Sequence, residues 1–251
     1  MWKNLEDLQT GRSCHQFIRV TDVPVAAFFN LDRLGLGSRL SYNTESQDLE
    51  IRLTPSRGHE RAHRSFIRQI ENKLSALCVP EDDMDPFIAA TTYPGHSGYR
   101  QADSAILPLP ERPGERDPPT LVILCGVSEC LNELLREAKW WLTQTQPPVN
   151  VVITIRLDLR PRTVIIEVWK LLSCSSDYCS GSSDSLCPRS ATEVILTPEG
   201  DTNNYRASRG ISLQFRDIMP REPPVGGEEI VIPEQDLENW ARMIFERMDR
   251  R

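Results

Sequence analysis

The chain has 251 residues, 39% of them hydrophobic and 26% charged, with a formal net charge of -7 and an isoelectric point near 5.3. This length can bury a full core, so we expect a soluble globular protein with one main domain. The acidic balance argues against a surface coated in basic residues for nucleic acid, although a local basic groove remains compatible with it. The arginines that could line such a groove are Arg57, Arg61, Arg64, Arg68, Arg156, Arg160 and Arg162.

The first ten residues contain acidic and polar side chains, which is not typical of a secretory signal. No stretch approaches the roughly 18 consecutive apolar residues of a membrane-spanning helix. Cys78, Cys125 and Cys130 lie in apolar periodic segments and are predicted to be reduced, buried side chains. We therefore predict an intracellular protein of the cytoplasm or nucleus, not secreted and with no membrane partner.

The N-terminal third predicts a hairpin followed by a helix. Residues 1–36 show no strong periodicity, and we assign residues 1–37 to an N-terminal extension. Residues 38–53 predict a β-hairpin, because two alternating segments flank NTESQD. Residues 60–77 predict an amphipathic helix, because apolar side chains recur there at steps of three and four residues.

The centre of the chain predicts a strand–helix–strand–strand unit. Residues 102–107 predict a strand at a sheet edge, which leads into a proline-rich loop. Residues 120–125 form a continuous apolar strand that should be buried on both faces. A helix with one apolar face follows, and then two strands within VNVVITIRLD and RTVIIEVWKLL.

Residues 173–190 are rich in serine and cysteine and predict a flexible insertion. Cys174, Cys179 and Cys187 fall inside it, but their spacing lacks the paired pattern of a zinc site. GISLQFRDIM then predicts a strand and PEQDLENWARMIFERM a closing helix. This order of elements predicts a single α/β (α+β) domain over residues 38–251, with a mixed central β-sheet flanked by helices.

Asp103 is a candidate for metal-dependent chemistry. A lone aspartate at the start of a strand is usually a turn or cap residue. However, a sheet that presents one acid from this strand and a second from the next could hold a divalent ion, and a lysine on the following helix could then point at a phosphate or an attacking water.

Two other groups of residues carry weaker signals. His59 and His63 lie one helical turn apart and could hold a metal together, but we favour the interpretation of partly exposed helix histidines. Ser104 and Ser128 have no positioned base that the sequence identifies, so nucleophilic catalysis has little support.

Three segments, HERAHRSF, YRQADSAILPLPERPGE and PTLVILCGVSECLNELLREAKWWL, resemble fungal proteins of the PD-(D/E)xK restriction-endonuclease-like superfamily. The flanking segments RLSYNTESQDLEIRLTPS, VVITIRL and VIIEVWK fit the same layout, so the resemblance covers about residues 38 to 172. It implies a restriction-endonuclease-like fold, which in active members cleaves phosphodiesters with magnesium or manganese.

The resemblance also implies roles for individual residues. Asp103 matches the first metal-binding acid, Lys139 matches a catalytic lysine that lies on the helix, and Glu60 matches an accessory acid on the first helix. Leu124 occupies the position of the second acid, since this chain has TLVILCG where the pattern ordinarily resembles TLVIEVG. The adjacent Trp140 and Trp141 are expected to be packing residues.

Leu124 bears on activity because a leucine offers no oxygen to a metal. Magnesium typically takes one or two protein carboxylates, and losing a preorganised charge-stabilising group commonly costs about 10²-fold in rate. Glu129 or Glu167 could substitute for the missing acid. The simpler interpretations are an acid at a helix N-terminus for Glu129 and a solvent-facing strand residue for Glu167.

These observations favour a nuclease-fold protein with lost or weakened metal-dependent phosphodiesterase activity; if active, it would be a hydrolase acting on nucleic acid. The alternative is a repurposed non-nuclease member that binds a small molecule or a protein partner, for example an accessory protein of a fungal biosynthetic pathway. In that case Leu124 and Cys125 would suit an apolar ligand pocket. A purely structural module is a third hypothesis.

Overall fold

The chain forms a mixed α and β structure with three sheets and five α-helices in the residues that the computed structural model describes. Those residues are 17–35, 38–52, 57–85, 91–127, 131–173, 186–200, 203–224 and 226–249. The predicted combination of a mixed sheet with flanking helices is confirmed at this level.

The first sheet has five antiparallel strands in the order β1-β3-β2-β5-β4. The strands are β1 (Phe17–Val20), β2 (Arg39–Asn43), β3 (Leu49–Arg52), β4 (Thr92–Gly95) and β5 (Gly98–Gln101). Strands β2 and β3 pair with each other, which confirms the predicted hairpin. Their buried side chains Leu40, Tyr42 and Leu49 pack in one apolar cluster with Phe28.

The segment expected to be an N-terminal extension contributes to this sheet. Strand β1 pairs with β3, and helix α1 (Val25–Arg33) supplies the buried Phe28. Phe28 stacks on Tyr42 with 4.9 Å between ring centroids. Sequence periodicity missed these elements because a four-residue strand and a nine-residue helix are too short to repeat a pattern.

The second sheet has six strands in the order β11-β10-β9-β8-β7-β6. They are β6 (Ser104–Ile106), β7 (Leu121–Val127), β8 (Val151–Asp158), β9 (Thr163–Ser173), β10 (Leu186–Pro198) and β11 (Tyr205–Ala207). Strand β7 is parallel to β8, and the other neighbouring pairs are antiparallel. Helix α3 (Leu131–Gln144) joins β7 to β8, since parallel strands need a crossover connection.

Helices cover both faces of the six-stranded sheet around β7. Ile123 and Cys125 of β7 belong to the larger apolar cluster, with Phe66 and Ile70 of helix α2 (Arg57–Ala76). This cluster also contains the buried side chains of helix α5 (Glu234–Asp249). Val122 and Leu124 of β7 pack instead in a second cluster with α3. The alternation along β7 thus places successive side chains on opposite faces, as strand geometry requires.

The C-terminal part differs from the predicted single strand at GISLQFRDIM. Strand β12 (Ile211–Gln214) covers only the first half of this segment, and the short helix α4 (Phe215–Ile218) follows it directly. Strand β12 pairs with β13 (Glu229–Ile232) in a separate two-stranded sheet. The predicted closing helix is confirmed as α5.

The predicted insertion at 173–190 is shorter in the structure. Ser173 ends β9, and residues 186–190 open β10, with Leu186 paired to Ser173. Residues 174–185, including Cys174 and Cys179, lie outside the described residues. Strand pairing extends further than expected because backbone hydrogen bonds, unlike apolar periodicity, do not depend on side-chain character.

The cysteine predictions had different outcomes. Cys125 is fully buried, as expected, whereas the prediction for Cys78 is wrong because that side chain is exposed. Cys78 follows the end of α2 and has a positive φ of 61°, so it belongs to a turn and not to the helix's apolar face. Cys130 lies outside the described residues. In the part of the chain that is described, no helix combines the length and apolar character needed to cross a membrane.

Candidate functional site

Asp103 is a buried acid at the edge of the six-stranded sheet. Its side chain has no solvent exposure, and its backbone N–H donates to the carbonyl of Ile123 at 3.2 Å. Its Oδ2 accepts a hydrogen bond of 2.8 Å from the backbone N–H of Cys125. Asp103 therefore lies against the strand that carries Leu124, as the sequence predicts, and contacts the residues on either side of it.

Two arginines neutralise Asp103. Arg52 places a guanidinium nitrogen 2.5 Å from Oδ1, and Nε of Arg39 lies 3.5 Å from the same oxygen. Burial alone would raise the pKa of Asp103, but the charge of Arg52, together with His59, His63 and Arg39, lowers it below its ordinary value. Asp103 is thus an ionised carboxylate held inside the protein by internal partners.

The arrangement of the arginines depends on the register of the β2–β3 hairpin. Arg39 and Arg52 are directly opposite each other at the end of this strand pair. Like charges in this position repel unless an anion lies between them or nearby. Asp103 supplies that anion, so the sheet edge carrying Asp103 and the five-stranded sheet meet at an ion-paired contact.

Leu124 contacts apolar side chains and not the Asp103 charge cluster. Its side chain is fully buried in the cluster that contains Trp141, Val122 and Ala138. It therefore packs on the α3 side of the sheet, opposite to Cys125. The carboxylate position that the family resemblance implies is filled here by core packing.

Lys139 lies on the outer face of α3. Its side chain is exposed, whereas the neighbouring Ala138 and Trp140 are buried. No ion pair joins Lys139 to Asp103, both of which are described. Trp140 and Trp141 are 7% and 0% exposed, which confirms that both are packing residues. The structure thus does not bring the predicted lysine and the predicted acid into contact.

Glu60 forms a second polar cluster with His59 and His63 on the first turns of α2, next to the cluster around Asp103. Its Oε2 is 3.4 Å from Nε2 of His63, and its Oε1 is 4.0 Å from Nδ1 of His59. The close contact with His63 lowers the pKa of Glu60 to about 2, against the opposing effect of partial burial. His59 links this group to Asp103, because its Nε2 lies 3.9 Å from Oδ2 of that acid.

The prediction of partly exposed histidines is wrong. His59 and His63 are 1% and 0% exposed, and both face the six-stranded sheet. Nε2 of His59 is 2.8 Å from the carbonyl oxygen of Cys125, and Nδ1 of His63 is 2.8 Å from the hydroxyl of Ser104. The polar partners on β6 and β7 make their burial possible.

Sequence reasoning missed Arg39 and Arg52, and it named His59 and His63 as a possible metal pair but not as buried partners of the sheet. A signal for the histidines was present, because HERAH places a glutamate inside an H-E-x-x-H spacing at residues 59–63. A signal for the arginines was the matching position of Arg39 and Arg52 at the two outer ends of the predicted hairpin. Neither pattern by itself indicated Asp103 as the partner.

The residues around Asp103 do not fit the magnesium or manganese that the family resemblance implies. Magnesium is usually bound with several waters and substrate oxygens besides its protein carboxylates. Asp103 is closed to solvent, its oxygens bind Arg52 and the Cys125 N–H, and Leu124 offers no ligand atom. Glu167 is half-buried, accepts a hydrogen bond from Thr154 at 3.3 Å and lies on β9, while Glu129 is outside the described residues.

A groove lies elsewhere on the surface, between α2 and α5. Its volume is about 640 Å³. Polar and charged side chains from both helices line it, including Arg68, Gln69, Asn72 and Asn239, with Trp240 and Met243 at its apolar part. Neither Asp103 nor Leu124 contributes to it.

The comparisons with known proteins assign no family to this chain. A scan against protein-family models finds no match, and a search of curated proteins finds no similar sequence.

Proposed function

We propose that this chain is a restriction-endonuclease-like protein, related to the fungal PD-(D/E)xK proteins, that has lost metal-dependent phosphodiesterase activity and acts by binding. The observation that carries the proposal is the pairing of Asp103 with Arg52 in the interior. An acid that binds a catalytic metal must reach solvent and substrate, whereas both oxygens of Asp103 have internal partners.

The electrostatic cost of opening this site supports the same conclusion. A metal ion at Asp103 would have to displace Arg52 and Arg39, which would leave two guanidinium groups unpaired next to a dication. Leaving even one buried charge without its partner costs about 3–5 kcal/mol. Strand β7, which would carry the second acid, has Leu124 at that position, and its side chain packs in the core.

The α2–α5 groove gives a binding protein a place for a small ligand. Its volume falls within the roughly 300–1,000 Å³ of small-molecule sites. Arg68 and the amides of Gln69, Asn72 and Asn239 would recognise a polar or anionic molecule, and the apolar part beside Trp240 would cover a small ring or chain.

The first experiment is a cleavage assay with the purified full chain. Linear duplex, single-stranded DNA and RNA are incubated with magnesium or with manganese, and Asp103→Asn is prepared in parallel as the matched variant. We expect no cleavage above the level of that variant. Cleavage by the natural chain that disappears in Asp103→Asn would contradict the proposal.

The second experiment addresses binding. A panel of carboxylated and phosphorylated metabolites is added to the full chain while its melting temperature is recorded. We expect a ligand that raises the melting temperature of the natural chain and fails to do so for Arg68→Ala. The matched control is Arg206→Ala, which changes an exposed arginine outside the groove. Equal shifts in the natural chain and Arg68→Ala would exclude the groove as the site.

A further inference from the structure

His59, Glu60 and His63 place three potential metal-ligand atoms within 4.8 Å of one another. His59 and Glu60 lie four and three residues before His63, which brings both side chains next to His63 on the surface of α2. The geometry points to a binding site for a divalent transition metal such as zinc, formed by two imidazoles and one carboxylate. This site is separate from the magnesium site of the family resemblance and uses neither Asp103 nor Leu124 as a ligand.

The two imidazole rings are already oriented by partners on the sheet. The Cys125 carbonyl can only accept, so the Nε2 of His59 carries the proton in that contact, and Nδ1 faces Glu60. The Ser104 hydroxyl contacts Nδ1 of His63, which leaves Nε2 facing Glu60. Metal-binding histidines almost always have their second nitrogen fixed in this way, which sets the tautomer and the ring orientation.

His63 supplies the observation that points most directly to a ligand. Its Nε2 is buried and makes no well-formed hydrogen bond among the described residues, since its ion-pair contact with Oε2 of Glu60 is 3.4 Å long. Buried polar atoms are nearly always satisfied, so an atom like this one calls for an additional partner. A metal ion between the ring nitrogen and the carboxylate would provide it.

One of the ligand-atom distances already matches that of a tetrahedral zinc ion. With bonds of roughly 2.0–2.1 Å, two ligand atoms of a tetrahedral zinc lie about 3.3 Å apart. The His63–Glu60 distance of 3.4 Å meets this value directly. The His59–Glu60 distance of 4.0 Å involves the other carboxylate oxygen, and the three ligand atoms are separated by up to 4.8 Å. Zinc binding therefore requires rotation of the Glu60 side chain, which is 34% exposed, and an adjustment of the imidazole rings.

The ligand set selects the metal. Imidazole nitrogens suit zinc, copper and nickel, whereas magnesium prefers oxygen ligands. Glu60 lies at the solvent side of the two buried rings, so a metal ion can enter there, and a fourth ligand can come from water. Two imidazoles and one carboxylate are also the ligand set of several known zinc sites.

Arg64 opposes metal binding at the same carboxylate. Its Nε lies 3.1 Å from Oε2 of Glu60, and its side chain is 71% exposed. An exposed ion pair of this kind contributes little to stability, so a metal ion can displace it. The competition predicts that zinc affinity rises when Arg64 is removed, a result that a purely structural Glu60–Arg64 pair would not give.

The test is a zinc titration of the chelator-treated full chain against a chromogenic competitor. We expect one zinc ion per chain, at least about 10-fold weaker binding in Glu60→Gln and His63→Gln, and 10- to 100-fold weaker binding in Ser104→Ala. Arg64→Ala should bind more tightly. Glu71→Gln, which changes another partly buried acid of α2, is the matched control and should bind like the natural chain.

Glu60→Gln keeps the test decisive if His63→Gln fails to fold, because Glu60 is partly exposed, and circular dichroism verifies each variant's fold. Absence of zinc binding by the natural chain, or unchanged binding by Glu60→Gln, would overturn the inference. Titration with cobalt(II) in place of zinc distinguishes binding at this site from binding by cysteines. Intense sulfur-to-metal charge-transfer bands would place the ion on the cysteines and also overturn it, whereas nitrogen and oxygen ligation produces no such bands.

Discussion

The carboxylate of Asp103 lies 2.5 Å from the guanidinium of Arg52, and the two side chains are 0% and 8% exposed. Removing one partner leaves the other charged and buried, so Asp103→Asn should lower the free energy of unfolding by about 3–5 kcal/mol. Urea denaturation followed by circular dichroism measures this change. Arg206→Ala, which breaks the exposed pair with Glu199, should leave the urea midpoint unchanged. Equal effects of the two substitutions would contradict the structural role of Asp103.

Acid should weaken the protein through the same carboxylate. The pKa of Asp103 in the folded state lies below its ordinary value, near 3.9 in an unfolded chain. The stabilisation is therefore fully present above about pH 4 and is lost as the pH falls, because the unfolded state then takes up a proton that the folded state does not. We expect the difference in unfolding free energy between the natural chain and Asp103→Asn to shrink between neutral pH and pH values near 3. A difference that does not depend on pH would show that Asp103 is not an ionised partner of Arg52.

A carboxylate at position 124 should destabilise the protein instead of restoring a metal site. Leu124 is fully buried among apolar side chains of α3 and β7, with no cation described beside it. Leu124→Glu should cost about 3 kcal/mol or more in unfolding free energy, because the buried carboxyl has no partner there. Leu124→Met, which conserves volume and polarity, should cost less than about 1.5 kcal/mol. Thermal or urea unfolding of both variants measures this contrast, and a Leu124→Glu protein as stable as Leu124→Met would contradict it.

Tyr93 should make the protein sensitive to alkali. Burial raises the pKa of Tyr93 to about 12, despite a hydrogen bond with Thr91 that favours the ionised form. Between pH 10 and 12 the unfolded chain loses the phenolic proton while the folded chain keeps it, so stability falls as the pH rises. Tyr93→Phe should reduce this fall, measured as unfolding free energy at pH 9 and pH 11. An identical pH dependence in both proteins would exclude Tyr93 as its source.

Gly98, the first residue of β5, has no room for a side chain beside the paired strand β2. Its φ is +149°, and a Cβ atom there would lie 1.8 Å from the carbonyl oxygen of Tyr42 on the neighbouring strand. Gly98→Ala should therefore cost more than about 2 kcal/mol of unfolding free energy. Gly35→Ala is the matched control, since Gly35 also has a positive φ of 56° but meets no atom within 4 Å. A greater loss for Gly35→Ala than for Gly98→Ala in urea denaturation would contradict the close approach to Tyr42.

The sequence by itself determined the long periodic elements and the mixed class of the sheet. Helix α2, helix α3 and the strands β7, β8 and β9 were predicted because each repeats an apolar pattern or forms a continuous apolar run. The sequence also predicted that Asp103 and Leu124 lie near each other, because their segments form adjacent strands. Short elements such as β1 and α4 were missed, since too few residues repeat to produce a period.

Only the tertiary structure decided what the polar residues do. Asp103, Arg39 and Arg52 are far apart in the chain, and their pairing depends on how one sheet edge meets the other sheet. The burial of His59 and His63 depends in the same way on Cys125 and Ser104, which β7 and β6 bring to α2. Local periodicity reports which face of an element is apolar, but the partner of a buried charge is set by long-range packing.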